Sequence, residues 1–158
     1  MKSLHPFLWL PNGQAEAAAA FYVGVFGDGA IHSVLRYPEG SPQPSGAVMT
    51  VDFDLGGHRV TALNADDRFS FTPALSLVVL TDDQAETDRL WDGLMDGGSA
   101  MACGWLTDRF GITWQIVPAA AMDLFHDPDP QVQQRVNEAL MPMVKIDLGE
   151  LQAAAERD

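Results

Sequence analysis

Residues 47–64 read AVMTVDFDLGGHRVTALN, and this stretch decides the fold of the chain. Apolar and polar side chains alternate over residues 47–55, the period of a strand with one buried face. Gly56 and Gly57 follow as a two-residue hairpin signal, because tight hairpin turns need positive φ. Residues 59–64 then form the returning strand. The stretch therefore predicts two antiparallel strands that bury the same face.

The segments before this hairpin add a strand, a helix and a second strand. An apolar run at 5–10 predicts the first strand, and residues 30–37 predict the second. Between them, residues 14–26 repeat apolar side chains three and four apart, which predicts an amphipathic helix. We expect Asn12 to cap that helix and Gly27 to follow its last turn. The order is strand, helix and three strands.

The same order returns in the second part of the chain. Strands are predicted at 73–80 and 112–117, and residues 100–106 predict strand with an interruption at Gly104. The capping-box spacing of Thr81 and Gln84 opens a helix after the first strand. When the sequence is aligned with itself at an offset of 70 positions, His5 aligns with Leu75. At an offset of 54 positions, Thr61 aligns with Gln115. This repeat predicts an α+β domain of two βαβββ modules, at about 1–68 and 69–118.

Residues 119–158 show helical patterns in place of strand patterns and predict a C-terminal helical extension. Three short helical segments are separated by prolines, and Asp129 followed by Pro130 is a good helix opening. The extension is expected to pack on the sheet or on a partner subunit, or to be partly mobile. Leu140, Met141 and Met143 are available for contacts. Together with sheet edges that pair readily, they predict a homodimer.

Composition excludes several classes of function. The 158 residues carry a formal net charge of −13 with no basic stripe, which argues against nucleic acid and against an anionic membrane surface. No segment approaches the roughly 20 apolar residues of a membrane helix. Cys103 is the single cysteine, so no intrachain disulfide can form. These features predict a soluble, cytoplasmic protein.

The sequence resembles the PhnB-like branch of the vicinal oxygen chelate superfamily, which includes glyoxalases, bleomycin-resistance proteins and dioxygenases. Many members of this branch carry the name 3-demethylubiquinone-9 3-methyltransferase. The resemblance covers nearly the whole chain. The segments that carry it are FLWL at 7–10, NGQAEA at 12–17, TALN at 61–64, FSF at 69–71, CGWL at 103–106, DRFGITWQIVP at 108–118 and DPDP at 127–130.

The resemblance implies that the modules curl into a glyoxalase-like partial barrel around a cleft. In metal-dependent relatives, the first and fourth strands of each module supply His, Gln or Glu ligands to a divalent ion. The corresponding positions here fall near His5, Thr61, Leu75 and Gln115. Only His5 is a good ligand, so no tightly held metal or other cofactor is expected. If a divalent metal is bound, His5 and Gln115 are the candidate ligands.

The candidate residues for a substrate cleft are His5, Asn64, Phe69, Phe71, Trp105 and Gln115. Each also has a structural interpretation. His5 is either a cleft residue or an ordinary residue at the start of a strand, and Gln115 either points into the cleft or makes structural hydrogen bonds. The aromatic residues either line an apolar pocket or pack in the core. Cys103 is interpreted as a buried, inert thiol rather than a nucleophile.

Three functions remain open from the sequence. The first is a PhnB-like protein that binds a small molecule in an apolar cleft without a tightly held metal. The second is a metal-dependent enzyme of the glyoxalase, dioxygenase or resistance type, and the third is a sequestering or structural dimer. The methyltransferase name is unsupported, because no glycine-rich turn for an adenosine cofactor is found: Gly27 and Gly29 follow a helix, and Gly56 and Gly57 join two strands.

Overall fold

The computed structural model describes residues 4–157 and divides between Ser70 and Phe71 into two compact units. The first unit contains β1 (Phe7–Pro11), α1 (Ala15–Phe26), β2 (Ala30–Arg36), β3 (Val48–Leu55) and β4 (His58–Ala65). The second contains β5 (Leu77–Thr81), α2 (Gln84–Leu94), β6 (Ser99–Ala100), β7 (Trp105–Thr107), β8 (Thr113–Pro118), α3 (Ala119–Phe125), α4 (Pro130–Leu140) and α5 (Leu148–Ala155). None of the helices in the described range is long and apolar enough to cross a membrane.

The first sheet has the strand order β1-β4-β3-β2, with β1 parallel to β4 and the other pairs antiparallel. The turn at Gly56 and Gly57 has φ of 53° and 75°, as the hairpin requires. One face of the sheet packs on α1, where the ring of Tyr22 stacks on Phe53 at 6.1 Å. The alternation of residues 47–55 thus places its apolar side chains against the helix.

Helix α1 is capped differently from the sequence prediction. Asn12 does not cap it, because Asn12 lies in a left-handed turn with φ of 58°. The N-cap position is Gln14, which makes no side-chain capping bond. Instead, Oδ1 of Asn64 accepts a hydrogen bond of 2.8 Å from the Ala15 N–H. Gly27 follows the helix with φ of 81°, which confirms that prediction.

The second sheet repeats the topology as β5-β8-β7-β6. Its first strand begins at Leu77, later than the predicted Pro73. The predicted interruption at Gly104 is confirmed: Gly104 has φ of 80°, and β6 and β7 are separate strands. Helix α2 is capped by Asp83, whose side chain accepts from the Glu86 N–H, and not by Thr81. The hydroxyl of Thr81 is buried and bonds to Thr87 at 2.6 Å.

The C-terminal helices belong to the second unit and confirm the predicted helical extension. They share a core with the end of β8, formed by Val117, Ala121, Val136, Met143, Ile146 and Leu151. The Cys103 and Gly104 N–H groups donate to the carbonyls of Met143 and Val144 at 2.8 and 2.7 Å. The extension is therefore packed on the second sheet through both apolar contacts and backbone hydrogen bonds.

Strand pairing fixes how the two modules correspond. Phe7 lies opposite Thr61 in the first sheet, and Val78 lies opposite Gln115 in the second. The first strands are thus related by a shift of 71 positions (78 minus 7) and the fourth strands by the predicted 54 (115 minus 61). The prediction that aligned His5 with Leu75 was wrong by one residue. The position that corresponds to His5 is Ser76.

Candidate functional site

The first sheet presents a second face, opposite α1, which we call the distal face. Its side chains include those of Phe7, Trp9, Asp52, Thr61 and Leu63. They alternate along β1, β3 and β4 with the residues that pack on the helix. The distal face carries both polar and aromatic groups.

Three polar residues form a hydrogen-bond chain on the distal face. The Thr61 hydroxyl donates to Oδ1 of Asp52 at 2.6 Å, and Nε2 of His5 lies 3.2 Å from the same hydroxyl oxygen. Thr61 is buried, with 4% of its surface exposed, whereas His5 is exposed. The chain therefore runs from a carboxylate through a buried hydroxyl to an accessible imidazole.

Asp52 is held in its ionised form by its neighbours. The Thr61 hydroxyl lowers the pKa of Asp52 most, and the Ser33 hydroxyl and the Arg59 guanidinium lower it further against the opposing effect of burial. Ser33 Oγ donates to Oδ2 of Asp52 at 3.0 Å, and Arg59 Nη2 lies 3.7 Å from the same oxygen. At neutral pH this carboxylate is an anion that accepts hydrogen bonds.

Aromatic side chains lie beside this chain. Phe7 is the register partner of Thr61 and is 58% exposed. Trp9 follows two residues later on the same face, and Phe69 packs against it edge to face, with 5.2 Å between ring centroids. The Trp9 Nε1–H donates to the carbonyl of Asp66 at 2.8 Å, which fixes the orientation of the indole. Phe7, Trp9 and Phe69 are hereafter the aromatic strip.

A cleft of about 620 Å³ opens at the end of the sheet where β1 and β4 terminate. Its walls combine aromatic, apolar and charged groups. The lining residues are Trp9, Gly13, Glu16, Arg36, Tyr37, Gln43, Ala47, Val48, Leu63, Asn64, Ala65 and Asp66. Arg36 donates to the Gly46 carbonyl at 3.0 Å and lies 3.6 Å from the Glu16 carboxylate. This cation is therefore already partly engaged.

The predicted site residues of the first unit occupy different positions around these features. His5 belongs to the hydrogen-bond chain, Phe69 to the aromatic strip and Asn64 to the cleft wall. Both ends of the Asn64 amide have structural partners, since Nδ2 donates to the Val48 carbonyl at 3.1 Å while Oδ1 caps α1. Asn64 therefore shapes the cleft and holds its helix in place.

The second unit contains the other candidates. Gln115 donates from Nε2 to Oγ of Ser76 at 2.7 Å, and Trp105 is its register partner on β7. Phe71 contacts the turn at Gly111, where an added Cβ would lie 3.8 Å from its ring. Gln115 is a structural hydrogen-bonder in this unit. That it shares a cleft with His5 stays a prediction.

The residues at the metal-ligand positions do not fit a divalent ion. The two modules offer corresponding pairs, His5 with Thr61 and Ser76 with Gln115, in which only the imidazole is a strong ligand. The two residues of each pair are also hydrogen-bonded to each other. Over residues 4–157, no three His, Cys, Asp or Glu side chains are arranged to hold a metal.

Asp52 was missed from the sequence although a signal for it existed. A two-residue turn at Gly56 and Gly57 sets Leu55 opposite His58, and counting back along the hairpin sets Asp52 opposite Thr61. The cleft residue Glu16 comes from α1, whereas Arg36 is the last residue of β2 and Tyr37 follows it, and no local pattern connects the two segments. Cys103 is half-buried with Sγ 3.7 Å from the Leu140 carbonyl, a structural position.

The topology and the site define the class of the protein, which has the glyoxalase-like vicinal oxygen chelate fold. The fosfomycin resistance protein FosX from Mesorhizobium loti shows the same fold, with a TM-score of 0.52 and 15% identity over 72% of this chain and 87% of its own. PA1353 from Pseudomonas aeruginosa gives a TM-score of 0.60 and 24% identity over 72% of this chain and 95% of its own.

Within this class, the family is given by sequence. The family model described as 3-demethylubiquinone-9 3-methyltransferase matches residues 2–117. A PhnB protein from Bacillus cereus, which also carries that methyltransferase name, is 31% identical over 75% of this chain and 100% of its own, with a TM-score of 0.67. The chain belongs to this PhnB-like family. No curated protein matches it.

Proposed function

We propose that this protein binds a small organic molecule on the distal face and in the adjoining cleft, without a tightly held metal. The observation that carries the proposal is the juxtaposition of an exposed aromatic strip with the His5–Thr61–Asp52 chain. Trp9 belongs to the strip and also lines the cleft, so the two features form one continuous surface. A planar molecule can stack on the rings while polar groups beside them fix its orientation.

The size and composition of the cleft support this proposal. A volume of about 620 Å³ lies within the range of small-molecule sites. A few polar groups among apolar walls are what such sites use for specificity, and Arg36, Glu16 and Asp66 supply them here. The protein is expected to act in the cytoplasm, where a free Cys103 persists.

A metal-dependent reaction of the glyoxalase, dioxygenase or resistance type is the alternative. It is disfavoured by the donor set, because a hydroxyl and an amide occupy positions where charged or imidazole ligands would be needed. A methyltransferase is also disfavoured: each βαβββ unit lacks the parallel sheet and glycine-rich phosphate turn with which many adenosine cofactors are bound.

Two measurements on the full chain test the proposal. Protein purified without chelator is analysed for metal, and we expect less than stoichiometric Ni, Zn, Mn and Fe. Stoichiometric metal that is lost in His5→Ala would establish the alternative instead. Calorimetric titration with a panel of planar aromatic compounds is expected to find ligands that Trp9→Leu weakens about tenfold. Val144→Ala, which trims an apolar residue that is 51% exposed in the extension, is the matched control.

A further inference from the structure

The hydrogen-bond chain on the distal face fixes which nitrogen of His5 carries the proton. An ionised carboxylate only accepts, so the single proton of the Thr61 hydroxyl points to Asp52 at 2.6 Å. The hydroxyl oxygen is left as an acceptor for Nε2 of His5 at 3.2 Å. Nε2 is therefore the protonated nitrogen, and in the neutral imidazole Nδ1 is the acceptor.

Nδ1 of His5 is available to a ligand. It bonds to no residue between positions 4 and 157, and the His5 side chain is exposed. Asp52 and Thr61 are fixed by the sheet, since they face each other in the β3–β4 register. The imidazole thus presents a hydrogen-bond acceptor whose direction is set by two residues behind it.

The aromatic strip lies next to this acceptor. His5 lies two residues before Phe7, the first residue of β1, and Phe7 is the register partner of Thr61. Because both residues neighbour Thr61, a ring stacked on Phe7 can direct its edge toward the imidazole. A hydroxyl on that edge can donate to Nδ1, whereas an ether or a carboxylate has no proton to give.

Charge further restricts the ligand. Asp52 and Asp54 both project from β3 on the distal face, and although Arg59 and His32 are paired with them, the chain as a whole carries −13. This field disfavours anions. A neutral aromatic ring that bears a hydroxyl suits both the strip and the acceptor.

We propose that the distal face binds neutral phenols, with the ring on the aromatic strip and the hydroxyl donating to Nδ1 of His5. This rests on the proposed small-molecule function and adds the class of ligand. Within it, His5 is the binding residue, and Thr61 and Asp52 are positioning residues that hold its tautomer.

The probes are 2-naphthol, its methyl ether and 2-naphthoate, titrated by calorimetry at about pH 8, where the phenol keeps its proton. One hydrogen bond predicts that 2-naphthol binds about fivefold tighter than the ether, and that naphthoate binds more weakly than naphthol. His5→Ala and Thr61→Val are expected to abolish the preference for naphthol over the ether. Thr113→Val, which makes the same change at a buried threonine of the second unit, is the matched control and keeps it.

The outcomes separate this inference from the function on which it rests. One outcome is that all three probes bind and that Trp9→Leu weakens them, but that 2-naphthol and its methyl ether bind equally well. In that case the proposed recognition of phenols is wrong, whereas the proposed binding of small molecules stands. If His5→Ala keeps the preference for 2-naphthol over its methyl ether, the recognition of phenols by His5 is likewise wrong. Failure of every probe and of the wider aromatic panel overturns both. His5→Ala alters an exposed side chain, so its result holds even if Thr61→Val fails to fold.

Discussion

The indole N–H of Trp114 donates a hydrogen bond of 2.8 Å to Oδ2 of Asp108, and both residues are buried. Oδ1 of the same carboxylate accepts from the N–H groups of Phe110 and Ile112 at 2.8 and 3.0 Å. Asp108 thereby closes the turn between β7 and β8 and orients the aromatic side chain of β8. Its role is to hold the second sheet together.

Replacing Asp108 tests that role. In Asp108→Asn, the side-chain NH2 group cannot accept a hydrogen bond, so it either faces the Trp114 N–H or faces the backbone N–H groups of the turn. In both cases hydrogen bonds are lost, and we expect the free energy of unfolding to fall by about 2 kcal/mol. Urea denaturation followed by tryptophan fluorescence measures it. Asp123→Asn, on the exposed side of α3, should change stability by less than about 0.5 kcal/mol. Equal effects would refute the assignment.

Asn64 is predicted to stabilise α1 from a distance of 49 positions in the sequence. Asn64→Ala removes the acceptor for the Ala15 N–H and the donor to the Val48 carbonyl, and should cost about 2 kcal/mol. The measurement is thermal unfolding followed by circular dichroism at 222 nm, the helix band. Gln14→Ala alters the formal N-cap, which makes no side-chain bond, and is expected to be nearly neutral. A larger effect at Gln14 would contradict this account.

Gly104 is predicted to tolerate no side chain. Its φ is 80°, and an added Cβ would lie 2.8 Å from Cδ1 of Ile146 and 3.0 Å from the Ile116 carbonyl oxygen. Gly104→Ala should therefore cost about 3 kcal/mol through backbone strain and overpacking. Gly24→Ala meets nothing within 4 Å in α1 and should stabilise by up to about 1 kcal/mol. Chemical denaturation of both variants decides between these signs.

Asp88 is expected to contribute to the acid sensitivity of the fold. Its hydrogen bond to Lys145, and then that to Gln84, lower the pKa of Asp88 below its ordinary value of 3.8. The unfolded chain therefore binds more protons in acid, so the stabilisation is present above about pH 4 and is lost as the pH falls through the folded pKa.

Unfolding experiments between about pH 5 and pH 2.5 measure this contribution. Asp88→Asn should flatten the fall of stability with decreasing pH, and Lys145→Met should do the same. The effect is modest, because both side chains are partly exposed. An unchanged slope in both variants would show that the ion pair is unimportant.

The homodimer predicted from the sequence can be tested at the edge of the first sheet. Strand β2 forms that edge, and Ile31, Val34 and Leu35 on it are 44%, 39% and 52% exposed. We expect sedimentation at micromolar concentration to show a dimer that Leu35→Asp weakens, since a buried carboxylate is costly. Leu75→Asp, at a position that is 76% exposed, is the control. A purely monomeric wild-type protein would exclude the dimer.

Sequence reasoning predicted the parts of the fold that depend on local periodicity. The hairpin at 47–64 and the duplicated order of elements are confirmed. Both were predictable because the alternation of a strand and the glycines of a tight turn involve residues that are neighbours in the sequence. The helix cap at Asn64 could not be found in this way, since it depends on where β4 ends in space. The alignment of His5 with Leu75 was wrong because it applied the offset of 70 positions, which aligns the two helices, to the strands that precede them. The loop between the first strand and the helix differs by one residue between the modules, so the strands align at an offset of 71.

The candidate site was predicted less completely. His5 and Phe69 were selected by residue type and family resemblance, but Asp52 looked like an ordinary surface acid on an alternating strand. Its importance follows only from its pairing with Thr61. Arg36 and Tyr37 could not be predicted, because the cleft is assembled from segments that are distant in the sequence and that no periodicity links.

The close approach of Gly104 to Ile146 has a consequence for how the family can diverge. The loop before β7 donates two backbone hydrogen bonds to residues 143 and 144, and its glycine leaves space for one particular side chain two residues further on. Neither segment can change alone without a clash or a void. In sequences that share both segments, positions 104 and 146 should therefore covary, so that the C-terminal extension is inherited together with the loop that it covers.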